Sequence, residues 1–180
     1  MKIEYVNLSK QYKIERKKLL KILDKTLATG KYVGGDQVQK FENQISRMLN
    51  VKYCVALNSG TDALTLGLHA LGVRRGDEVI TTPNSFIAST AVIVHLGAKP
   101  VFVDVKDDQC MDPNLIEKAI TKKTKAIMPI HLTGKVCEMD QIIKISKKYK
   151  IPIIEDAAQA IGSKYKGKMA GSFGKVSCFS

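Results

Sequence analysis

Leu19, Leu23 and Leu27 recur every four residues in an otherwise charged stretch, and this one-face spacing predicts a helix over Ser9–Ala28. Gly30 and then Gly34-Gly35 break it. Asp36, a good N-cap, opens a second helix running to Leu49, with Val38, Phe41, Ile45 and Met48 expected to be buried along one side. Beyond Asn50 the pattern changes to short apolar runs separated by helical spacing. Strands are predicted at Tyr53–Leu57, Glu78–Thr81, Pro100–Val105, Ala126–Ile130 and Pro152–Glu155, with helices at Asp62–Leu71, Ile87–Leu96, Pro113–Ile120 and Met139–Tyr149. Ser163–Met169 reads as a small hairpin turning at Lys166-Gly167, and Lys175–Phe179 as a last strand. Alternation of this kind, with no repeat or linker, argues an α/β fold of three layers: a mostly parallel sheet with helices on both faces.

Two strand ends carry candidate chemistry. Ile151-Pro-Ile-Ile-Glu-Asp156 is an apolar run ending in a carboxylate, and Gln159 follows three residues later. A parallel strand would place Asp156 at its C-terminal end, the edge where α/β sheets gather their ligands. An acid there suits a fixed cationic partner such as a pyridinium nitrogen; it could equally cap the next helix. Upstream, Val55-Ala-Leu-Asn-Ser-Gly-Thr-Asp62 runs from an apolar segment through Gly60 into a helix. Free amides at Thr61 and Asp62, the helix dipole and the Thr61 hydroxyl would make an anion site, with phosphate as the natural guest. An ordinary capped corner is the competing explanation.

Composition narrows the classes. The 180 residues suffice for one domain with a sizeable core, and 44% are hydrophobic. No apolar run reaches spanning length and Met1–Leu8 lacks a signal-peptide layout, so a cytoplasmic protein without membrane contact is expected. The net charge of +12 invites a nucleic-acid reading. The lysines, however, scatter over helix faces and loops with no interleaved aromatics, so no nucleic-acid partner is expected. Cys54, Cys110, Cys137 and Cys178 are widely spaced, with no C-x-x-C pair. No metal site or disulfide is expected, and Cys54 and Cys178 read as core thiols in strands.

With these motifs placed, the chain resembles the DegT/StrS family of nucleotide-sugar aminotransferases, fold-type-I enzymes that use pyridoxal 5′-phosphate (PLP). The likeness rests on Gly30-Lys-Tyr-Val-Gly-Gly35, Asn58-Ser-Gly-Thr-Asp-Ala-Leu64, Gly76-Asp-Glu-Val-Ile80, Ser85-Phe86, Gly97-Ala-Lys-Pro-Val-Phe-Val-Asp104, His131-Leu-Thr-Gly134, Glu155-Asp-Ala-Ala-Gln159, Tyr165–Gly174 and Cys178-Phe-Ser180, in that order. The resemblance implies that Gly60, Thr61 and Asp62 hold the cofactor phosphate together with Ser180, and that Phe86 stacks on the ring. It implies that Asp156 pairs with the ring N–H and that Gln159 lies near the ring 3-oxygen. His131 ends a strand on the same edge as Asp156, where either a place near the cofactor or a satisfied loop histidine is open. His69 and His95, within apolar helices, read as structural. The implied domains are an N-terminal helical segment, 1–35, and an incomplete PLP-binding large domain, 36–180, with the small C-terminal domain absent.

The implied reaction moves an amino group from an amino acid, glutamate or glutamine, to a keto-deoxysugar nucleotide in a homodimeric enzyme of polysaccharide or related biosynthesis. In the family the Schiff-base lysine follows the Cys-Phe-Ser motif by about five residues, beyond Ser180 here. Lys164, Lys166 and Lys168 fall in the hairpin and Lys175 opens the last strand, so none replaces it. The expectation is a chain without its catalytic residue and inactive alone. A sugar dehydratase of the same family, with histidine in place of that lysine, and a non-catalytic interaction fragment remain as alternatives.

Overall fold

The computed structural model describes Glu4 and residues 6–180. In chain order the helices are α1 Leu8–Leu27, α2 Asp36–Leu49, α3 Gly60–Ala70, α4 Ile87–His95, α5 Pro113–Ala119 and α6 Met139–Tyr149. The strands are β1 Glu78–Thr81, β2 Lys99–Phe102, β3 Thr124–Ile127, β4 Ile154–Asp156, β5 Lys164–Tyr165, β6 Lys168–Met169 and β7 Val176–Cys178. β2, β1 and β3 pair in parallel in that order, as do β4 and β7. Parallel bridges Ile127–Ile153 and Ile130–Asp156 join the two pieces, giving the order β2-β1-β3-β4-β7. The antiparallel pair β5-β6 is the hairpin, turning through Lys166 and Gly167 at φ 49° and 83°.

Period-two alternation sorts the strand residues into two cores. Val79, Ala126 and Ile154 meet Leu64 and Leu68 of α3 and Val92 and Ile93 of α4. Ile80, Ile127 and Ile153 meet Ile116 of α5 and Met139, Ile142 and Ile145 of α6. Helices therefore cover both faces, and the three-layer α/β expectation holds. The C-terminal ends of β4 and β7 lie side by side, with Asp156 opposite Cys178, and Ile130 is bridged to Asp156 on the other side. The segment after β3 and the ends of β4 and β7 thus meet at one edge.

Two expectations fail. Tyr53–Leu57 forms no strand: Tyr53 and Val55 are 74% and 71% exposed, and the Ala56 amide donates to the Glu42 side chain at 2.8 Å. An apolar run becomes a strand only beside a partner ladder, and no described strand lies next to it. Cys54 is accordingly a half-buried loop thiol, whereas Cys178 is buried within β7. In α2, Val38, Phe41 and Met48 are exposed, Ile45 is half-buried, and only Leu49 is buried. The helix has its apolar stripe, but nothing among the described residues covers it. α1 likewise buries no residue. His69 and His95 are exposed in the last turns of α3 and α4, outside both cores.

Candidate functional site

A cavity of about 350 Å³ opens at the shared strand edge, inside the ~300–1,000 Å³ range of small-molecule sites. Five separated stretches line it: Ser59–Thr61 with Leu64, Ser85 and Phe86 with Ala88 and Ser89, Ile130–Leu132, Asp156 with Ala158 and Gln159, and Cys178–Ser180. Of the residues singled out from sequence, Gly60, Thr61, Phe86, His131, Asp156, Gln159 and Ser180 all line this one space. Asp62 does not, and its amide donates to Ser59 Oγ at 3.0 Å.

The N-terminus of α3 forms one end. Ser59 is its N-cap, satisfying Asp62 by its side chain and Ala63 by its carbonyl. The amides of Gly60 and Thr61 have no partner among the described residues and stand at the positive end of the helix dipole. Glycine is required here by crowding, since a Cβ on Gly60 would sit 2.6 Å from Ser180 Cβ. That close approach sets Ser180 against the first residue of α3, its Oγ 3.0 Å from the position of that Cβ.

Asp156 forms the floor. It is 5% exposed, with Ser89 Oγ donating to Oδ2 at 2.8 Å and the Ala158 amide to Oδ1 at 3.3 Å. Ser85 Oγ lies 2.9 Å from Ser89 Oγ. Phe86 immediately precedes α4, 72% exposed and unpacked, with its ring at the cavity rim. Cys178 sits in the wall, and its thiol is pushed up to about 12, first by burial and then by the charges of Asp156 and Glu155. It is neutral at physiological pH.

His131 is fully buried, and both ring nitrogens are engaged. Nδ1 accepts from the Cys137 amide at 3.3 Å, so Nε2 carries the hydrogen and donates to Glu155 Oε2 at 3.2 Å. The ring is therefore a fixed wall, with no nitrogen free for proton transfer. Glu155, fully buried on the opposite side of β4 from Asp156, also accepts from the amides of Gly171, Phe173 and Gly174 and from Ser177 Oγ, at 2.6–2.9 Å. Burial pushes its carboxyl up, but the bonds from His131, Gly174 and Gly171 outweigh this and hold it below its ordinary value.

Sequence reasoning missed Ser89 and Glu155. Ser89 lies one helical turn beyond Phe86, a spacing that places both on one side of α4; its partner is 67 residues away and leaves no local signal. Strand alternation already implied that Glu155 faces away from Asp156. A second, more open groove of about 600 Å³ lies near the β5-β6 hairpin. Its three acidic side chains are each paired with a lysine: Asp108 with Lys135 at 2.8 Å, Asp140 with Lys166 at 2.6 Å, and Glu138 with Lys106 from outside the groove. No lysine lines the first cavity, and no cluster of potential metal ligands occurs among the described residues.

Comparison with known proteins identifies the family. Residues 13–180 match the DegT/DnrJ/EryC1/StrS aminotransferase family. The UDP-2-acetamido-2-deoxy-3-oxo-D-glucuronate aminotransferase of Pseudomonas aeruginosa is 41% identical over 99% of this chain and 50% of its own length. The structure of DesV from S. venezuelae in complex with a ketimine intermediate superposes with a TM-score of 0.95 at 36% identity, covering 99% of this chain and 48% of that one. NtdA of Bacillus subtilis with bound cofactor PMP gives a TM-score of 0.82 at 43% identity, covering 87% and 36%. The chain spans about half the length of the curated relatives it matches. On the family match, the chain belongs to the DegT/DnrJ/EryC1/StrS aminotransferase family.

Proposed function

We propose that the cavity binds PLP and that this chain supplies the cofactor-binding part of an aminotransferase acting on a keto sugar carried by a nucleotide. The observation that supports it most strongly is the gathering, in one space, of free helix-terminal amides, an aromatic ring and a buried carboxylate from distant parts of the sequence. This donor set fits PLP, with a phosphate at one end and a ring nitrogen at the other. The amides of Gly60 and Thr61, with the hydroxyls of Thr61 and Ser180, would hold the phosphate. Phe86 would cover one ring face and exclude water. Asp156 would accept the ring N–H and keep that nitrogen protonated, while Gln159 would donate to the ring 3-oxygen. When bound, the cofactor supplies an electron sink for the substrate carbon from which the proton leaves.

No lysine among the described residues lines the cavity, so binding by the lining residues is non-covalent and transamination draws its nucleophile from outside them. The name of the Pseudomonas aeruginosa relative supports a nucleotide-linked keto sugar as acceptor; glutamate or glutamine as donor, in a cytoplasmic enzyme, completes the proposal. A homodimer would cover Leu19, Leu23 and Leu27 of α1 and Val38, Phe41 and Met48 of α2, which lie bare in the single chain. Among the described residues, no helix is long and apolar enough to cross a membrane.

PLP titration followed by calorimetry tests the reading. Saturable one-to-one binding, weakened at least tenfold by Thr61→Ala and by Asp156→Asn, is expected. Absence of binding by the unaltered chain, or indifference to both substitutions, would refute it. Borohydride trapping of PLP on one specific lysine would refute non-covalent binding.

A further inference from the structure

We infer that Ser89, backed by Ser85, is a positioning residue that aims the Asp156 carboxylate at the ring nitrogen of the cofactor. The role assumes that Asp156 is the ring-nitrogen partner, as proposed above. Ser89 is 1% exposed in the first turn of α4, and its hydroxyl reaches Asp156 Oδ2 at 2.8 Å. An ionised carboxylate only accepts, so the single Ser89 hydrogen points at Asp156. Ser89 must then accept from its other neighbour, which fixes the direction of the 2.9 Å contact: Ser85 donates to Ser89. The two hydroxyls form a one-way chain ending on the carboxylate, and each bond polarises the next.

Geometry makes this chain specific. Oδ1 is held from within β4's own loop by the Ala158 amide at 3.3 Å, and Oδ2 from α4 by Ser89. Two donors from two elements fix both the rotation and the plane of the carboxylate. Each oxygen retains acceptor capacity, and the residue lines the cavity. The same helix start carries Phe86 at the rim, and the Ser89 amide bonds the Phe86 carbonyl at 3.2 Å. A shift of α4 would move ring cover and carboxylate together. Without Ser89, Oδ2 is free to turn from the ring nitrogen, while the phosphate end of the cavity is untouched.

The test compares PLP with 1-deaza-PLP, in which carbon replaces the ring nitrogen. The ratio of their dissociation constants isolates the interaction at that one atom. The unaltered chain is expected to prefer PLP, and Asp156→Asn to abolish the preference. Ser89→Ala should cut it about tenfold, roughly one charge-assisted hydrogen bond. Ser89→Thr, which keeps the hydroxyl, should restore it to within about twofold, and Ser85→Ala should cut it about two- to threefold. A role confined to packing would weaken both ligands equally and leave the ratio alone. Should Ser89→Ala fail to fold, the half-buried Ser85→Ala decides. A ratio unchanged in the serine variants but lost in Asp156→Asn overturns the role of the serines and leaves the PLP reading standing. A ratio unchanged in Asp156→Asn, or no PLP binding at all, overturns the reading of Asp156 and this inference with it.

Discussion

Replacing Glu155 by glutamine changes no volume and removes one charge, so it isolates what the carboxylate does. Its two oxygens accept five hydrogens: Oε1 from the Phe173 and Gly174 amides and the Ser177 hydroxyl, Oε2 from the Gly171 amide and His131. A glutamine keeps one acceptor oxygen. If that oxygen takes the three donors, the new NH2 faces the Gly171 amide and His131 Nε2. The imidazole can escape by moving its hydrogen to Nδ1, but then it confronts the Cys137 amide that Nδ1 now accepts. Two buried donors are left facing hydrogens in either case. At about 1–3 kcal/mol each, and with the range for breaking a buried charged pair, the cost comes to about 3–5 kcal/mol. For a chain of this size that is roughly 6–20 °C in Tm.

Thermal and urea unfolding, followed by circular dichroism, measures the cost. The pH profile adds a second signature. Folding holds the Glu155 carboxyl below its ordinary value of 4.5, so its contribution is complete above that pH and is lost as pH falls through the lower native value. The unaltered chain should therefore lose stability below about pH 4.5, and Glu155→Gln should show a flatter profile there. A Tm within about 2 °C of the unaltered chain would refute the claim that these five bonds hold the segment in place.

Gly171→Ala should destabilise by about 2–4 kcal/mol, read by urea denaturation, because φ is 83° and an added Cβ would sit 2.2 Å from the Phe179 ring. Phe86→Ala should change Tm little, since the residue is 72% exposed and belongs to neither core, yet weaken PLP binding severalfold. Long-range 1H–15N correlation spectra should show the His131 hydrogen on Nε2; the Nδ1 form would contradict the bonds to Glu155 and Cys137.

Local signals were readable in the sequence, and long-range ones were not. The bounds of β1, α2 and α6 agree with the pattern because periodicity lies within the elements, although Asp36 is the first helical residue of α2 and Gly35, with no side-chain bond, holds the cap position. The hairpin turn at Lys166-Gly167 is equally local. Tyr53–Leu57 misled because apolar alternation marks a face without supplying the neighbouring strand. The stripe on α2 misled in the same way: Phe41 and Met48 announce a surface to be covered, not what covers it. At the site, the Ser59–Thr61 corner and the strand end at Asp156 were visible, since glycine, helix spacing and an acid after an apolar run are written in adjacent residues. Their meeting across one cavity was not visible without a family resemblance, and neither was the bond from Ser89.

Glu155 and Asp156 are consecutive buried carboxylates, and their surroundings separate what each can do. A buried charge is tolerated only where it is satisfied. Glu155 has five protein donors and no capacity left for a ligand, so its charge is committed to holding the Gly171–Ser177 segment and the His131 wall. Asp156 has two protein donors, one on each oxygen, and faces a cavity. That incomplete satisfaction is what a ligand-binding carboxylate needs, and it costs stability in the empty protein. The two residues should therefore respond in opposite senses to the same amide substitution. Glu155→Gln lowers stability, with PLP weakened only through movement of the walls. Asp156→Asn still accepts from Ser89 or from the Ala158 amide, so its Tm should change little while its preference for PLP over the deaza analogue disappears. Equal loss of stability in both variants would show that Asp156 is a structural acid like its neighbour.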